Sequence, residues 1–114
     1  MFSFKKLLVL GSLLGVATAQ SNYEGTAIEV FFDNAPGGCG FNIGPNTLVL
    51  FLSEDMFAEN LCNKTVAVEY DSQVQTIKIG GPCATCSGTN VALSEQVFSN
   101  FGAQSEEIDV VYTF

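Results

Sequence analysis

From Thr26 the apolar residues Ile28, Val30 and Phe32 alternate with Ala27, Glu29 and Asp33, the period of two that marks a half-buried strand. The pattern ends in Asn34-Ala35-Pro36-Gly37-Gly38, a run of turn formers, and Phe41 to Asn46, with Gly44-Pro45 inside it, reads as a connection. Thr47 to Leu52 is an apolar run bounded by polar residues and predicts a strand buried on both faces. Ser53 is placed to cap a helical turn carrying Met56 and Phe57, with Glu54 and Asp55 near its positive end.

Beyond Cys62, Val66, Val68 and Tyr70 alternate with Thr65, Ala67 and Glu69. Asp71-Ser72-Gln73 then turns the chain and Val74 to Ile79 returns, which predicts a hairpin. Gly80-Gly81-Pro82 breaks the second strand, and Cys83-Ala84-Thr85-Cys86 follows as a loop. Ser94 predicts a helix N-cap, Leu93, Val97 and Phe101 fall four apart with Phe98 beside them, and Gly102 stops the helix. Ile108, Val110, Tyr112 and Phe114 alternate with Asp109, Val111 and Thr113, so the sequence ends in a strand. Short strands, one or two helical turns and no internal repeat predict an all-β chain closed as a small barrel.

Ahead of this pattern stand Lys5 and Lys6, an apolar run from Leu7 to Val16, and Ala17-Thr18-Ala19. These are the three parts of a secretory signal peptide over residues 1–19, and the apolar run is too short to span a bilayer. The expected product is one soluble extracellular domain over residues 20–114, a monomer with neither a membrane span nor a lipid anchor. Without Lys5 and Lys6, two lysines face twelve acidic residues, a net charge of −10. Such a surface repels phosphate backbones and anionic lipid, which excludes nucleic acid as a partner. The chain has no His and no Trp, so the usual general base at neutral pH and the largest sugar-stacking side chain are missing.

Cys39, Cys62, Cys83 and Cys86 read as two disulfides supplementing a small core, about 2–4 kcal/mol each. A four-Cys zinc site would need thiolates kept reduced outside the cell and a second Cys-x-x-Cys. Thioredoxin-like chemistry would need the first Cys at a helix N-terminus, whereas Gly81-Pro82 precedes it and Ser87-Gly88 follows the pair. Three pairings remain open. Asn63-Lys64-Thr65 is a glycosylation sequon beside Cys62, and Glu54, Asp55, Glu59, Glu106, Glu107 and Asp109 form a solvated acidic surface with no calcium-loop spacing. No metal or cofactor is expected. Phe31, Phe41 and Phe51 fall off the apolar phase or in loops, and an exposed cluster of them would mark a binding surface.

The order of these features resembles the secreted RlpA-like double-psi β-barrel domains, a group that also holds the barwin-like proteins and the first domain of expansins. The resemblance is to a small single-domain member of the fungal type. It rests on Gly25-Thr26-Ala27, Phe31-Phe32-Asp33, Gly38-Cys39-Gly40, Cys62-Asn63-Lys64 before a Val-rich strand, Gly81-Pro82-Cys83-Ala84-Thr85-Cys86, and Ala92-Leu93-Ser94 leading to Phe98. It implies a six-stranded double-psi barrel with one or two short helices. It also implies pairing of Cys39 with Cys62, which leaves Cys83 with Cys86 as a local clasp.

Members of this group that cleave glycans resemble one another in carrying an Asp in Asp-Leu-Ser and often another before Arg-Cys. Here those positions are Ala92 and Gly81. Glycoside cleavage needs an acid and usually a second carboxylate, and Asp33, the family's first Asp position, is one carboxylate alone. The expectation is a non-catalytic barrel that binds cell-wall polysaccharide or a foreign extracellular protein, through a groove near Asp33, Gly81, Pro82, Asn90, Ala92 and Ser94. The alternative is a wall-polysaccharide hydrolase, lytic transglycosylase or expansin-like loosening factor in which Asp109 or Glu95 joins Asp33.

Overall fold

The computed structural model describes residues 20–114, so the signal peptide expected over residues 1–19 lies outside the described residues. The chain runs β1 (Asn22–Val30), β2 (Ala35–Pro36), β3 (Asn42–Ile43), β4 (Val49–Ser53), a 3-10 turn (Glu59–Leu61), β5 (Thr65–Tyr70) and β6 (Gln73–Cys83). It continues as β7 (Val91–Ser94), helix α1 (Glu95–Phe101) and β8 (Glu107–Thr113). Six strands close into a barrel in the order β1-β7-β4-β6-β5-β8, while β2 and β3 pair separately. β1 runs parallel to β7 and β4 parallel to β6; the other barrel pairs are antiparallel. The all-β, six-stranded barrel expected from the sequence is what forms.

Strand parity divides the apolar residues between two clusters. Inside the barrel lie Ala27, Leu50, Leu52, Val68, Ile79 and Leu93, closed at one end by Val97, Phe98 and Phe101 of α1. Outside it, Val49, Phe51, Ala92 and Cys83 form a second cluster capped by Ile43. β4 is therefore buried on both faces, as its apolar run predicts. In β1, however, the inward residue is Ala27, and the apolar set Ile28, Val30 and Phe32 packs on the outer cluster. Alternation identified the apolar side of β1 correctly, but that side faces away from the barrel interior.

The expected break at Gly80-Gly81-Pro82 is a β-bulge within a strand that continues to Cys83. Leu50 pairs with Ile79 and Phe51 with Gly81, so Gly80 is the extra residue. One inserted residue reverses the facing of everything after it, which is why Ile77 and Ile79 point inward while Cys83 joins the outer cluster. The hairpin forms over Asp71-Ser72 with Tyr70 paired to Gln73, both turn residues having positive φ, 52° and 66°. Ser53 does not cap a helical turn: its hydroxyl donates to the Gly88 carbonyl at 2.6 Å, and the chain turns on backbone bonds from Met56 and Phe57 to the Ser53 carbonyl. Ser94 stands at the N-cap position of α1, yet its hydroxyl bridges Thr47 O (2.6 Å) and Val49 N (3.1 Å) instead. Gly102 ends the helix in a left-handed conformation, as expected.

Candidate functional site

The outer cluster is the face on which the positions of the missing carboxylates converge. Gly81 pairs with Phe51, and Phe51 with Ala92, across neighbouring strands. The segment Gly37–Gly40 lies directly over the Gly80 bulge, with Cys39 N donating to Gly80 O at 3.1 Å. The Cys39–Cys62 disulfide ties this segment to the chain entering β5. A β-carbon on Gly81 would sit 2.8 Å from Gly38 N and 2.9 Å from Gly38 Cα, and the glycine's φ is +147°. Ala92 is 1 % exposed, sealed among Val49, Phe51 and Ile43. Neither position opens to a ligand.

Of the other expected groove residues, Asp33, Pro82 and Asn90 are exposed while Ser94 is buried. Asn90 Oδ1 accepts from Thr26 N at 3.0 Å, and Ser94 serves only to hold the 47–49 segment. Six residues expected to line one groove are thus divided between surface and interior. The Cys83–Cys86 clasp closes the loop that follows β6. Among the described residues no group of three or more His, Cys, Asp or Glu is placed to hold a metal ion. No described helix is long and apolar enough to cross a membrane.

In place of polar machinery this face carries apolar side chains. Ile28, Val30, Phe32, Phe41 and Cys86 are only partly buried against the cluster, Phe32 stacks on Phe51 with ring centroids 5.2 Å apart, and Phe31 is 68 % exposed. Of the three phenylalanines singled out by sequence, one is exposed, one half-buried and Phe51 fully inside. The carboxylates that do gather are different ones. Burial raises the Glu29 pKa, and repulsion from Glu106 and Glu95 raises it further. Alternation put Glu29 on the polar side of β1; only the parity of Ala27 would have turned it inward.

No protein-family model and no curated protein sequence matches this chain. Among solved structures it superimposes on the apo expansin of Clavibacter michiganensis with a TM-score of 0.72 at 16 % identity, over 81 % of this chain and 49 % of the expansin. A mutant of that expansin in complex with cellohexaose gives 0.69 at 17 % identity, over 81 % and 49 %. Streptomyces papain inhibitor gives 0.70 at 18 % identity, over 81 % of this chain and 92 % of the inhibitor. The fold is therefore the double-psi β-barrel. The chain spans about half the length of the expansin and nearly all of the inhibitor.

Proposed function

We propose that this protein is a secreted, non-catalytic double-psi barrel that acts by binding another extracellular protein. One observation carries the reading: the face where the resemblance puts catalytic carboxylates holds a glycine closed over by Gly38 and an alanine sealed in an apolar cluster. That face carries the half-buried Phe32 and Phe41, and Phe31, next to Phe32 in the chain, is exposed; exposed aromatic side chains are of the kind that anchor protein partners. Two disulfides suit an extracellular setting. The small inhibitor that the chain matches over nearly its whole length supports an inhibitor-like role more than the longer expansin supports wall loosening.

The test exposes the purified protein to insoluble cellulose, chitin and peptidoglycan and, separately, to a panel of secreted cysteine and serine proteases. The expected outcome is no sugar release, no retention on the glycans, and loss of activity of at least one protease class. Sustained release of soluble sugar from highly purified protein would establish catalysis and overturn the reading. Retention without release would instead make the protein a glycan-binding module.

A further inference from the structure

Where β1 lies between β7 and β8, a pocket of about 180 Å3 opens beside the apolar face, sharing Ile28 and Cys86 with it. Ile28 and Cys86 supply its apolar patch, Thr26, Thr85, Asn90 and Glu107 its polar wall, while the Val91 side chain at its base is turned into the barrel. Strand register fixes the charge at its mouth. Ile28 pairs with Glu107 and Thr26 with Asp109, so two carboxylates lie two residues apart on one face of β8. The Thr26 hydroxyl bonds Asp109 at 3.4 Å and its backbone N–H is held by Asn90, which pins the rim before any ligand arrives. Neither Lys64 nor Lys78, the basic side chains among the described residues, lines the pocket.

A small apolar patch with carboxylates at its edge suits a long aliphatic stem ending in a cation. It does not suit an anion, and with no aromatic side chain in its lining it offers a sugar ring no stacking surface. We propose that this pocket seats a Lys or Arg side chain of the partner protein. The stem lies on Ile28 and Cys86, and the cation pairs with Glu107 with Asp109 close by. This inference rests on the protein-binding reading above and names the chemistry the partner must present. The net charge of −10 on residues 20–114 draws such a partner in.

The experiment is an NMR titration of the purified, isotope-labelled protein with three capped tripeptides, Gly-Arg-Gly, Gly-Lys-Gly and Gly-norleucine-Gly. The Arg or Lys peptide is expected to give saturable shifts centred on the amides of Ile28, Asn90 and Glu107, with norleucine giving none. Glu107→Gln, a change at an exposed position, is expected to weaken binding about tenfold, the loss of one charge-assisted contact. An equal response to norleucine, shifts scattered over the acidic surface, or an unchanged affinity in the Glu107→Gln protein would each overturn the proposal. Protease inhibition that persists without any peptide response would remove the pocket and leave the protein-binding reading intact.

Discussion

A side chain at Gly81 would meet the backbone of Gly38 before it met any ligand. Gly81→Asp is therefore expected to destabilise the protein by about 2–4 kcal/mol without conferring sugar release, because the 37–40 segment must shift or the barrel must strain. Urea unfolding of the variant beside the parent measures the first part and a reducing-sugar assay the second. Glu29 gives a residue-scale prediction of opposite sign. Its pKa is raised from the ordinary 4.5 by burial first, then by Glu106 and Glu95. Below pH 4.5 the carboxyl is protonated folded or unfolded; as pH rises through its folded pKa, stability is lost and stays lost above. Glu29→Gln should accordingly match its parent near pH 3.5, exceed it at pH 7, and flatten the dependence of Tm on pH in between. The absence of carboxylates at 81 and 92 was legible in the sequence. What closes position 81 to a side chain, a backbone pressed against a bulge, was not, because it depends on two segments some forty residues apart.

At the scale of elements, β4, β8, the β5–β6 hairpin and the stop of α1 were all written in local pattern, where apolar period and turn chemistry agree. β6 was not: Gly-Gly-Pro carries a turn signal, and tertiary pairing with β4 overrode it as a bulge. Ser53 misled for a related reason, and Ser94, though it stands at the N-cap position as expected, does not cap with its hydroxyl. Each has a capping residue's chemistry, and each spends its hydroxyl on a distant carbonyl that closes a crossover loop. The hairpin turn is built against preference, since Asp71 and Ser72 both occupy the left-handed region. Ser72→Gly is expected to raise stability by about 0.5–1 kcal/mol by removing that cost, read as a shift in the urea midpoint with an unchanged slope.

For the molecule as a whole, charge and fold class were the most legible properties, because a count of side chains and an order of strands survive errors in any one boundary. The candidate surface was less so. The sequence directed attention to a groove of six residues, and folding buried Ala92 and Ser94 while leaving Asn90 on the rim of a pocket the pattern did not announce. Phe31 could be singled out only because it broke the phase of its strand. The sequon residue Asn63 is exposed, with a φ of 68° at the approach to β5. A glycan there would project from the chain beside the Cys39–Cys62 bridge.

The strand order sets a timetable as well as a shape. β1 bonds to β7 and β8, so Ala27 finds its neighbours only at Val91 and Ile108. The strand nearest the N-terminus must wait with both edges bare until the C-terminal strands arrive, and pairings this distant along the chain are slow to form. Closure is a late and collective event, and a chain halted short of Glu107 would leave the barrel open along one side of its first strand.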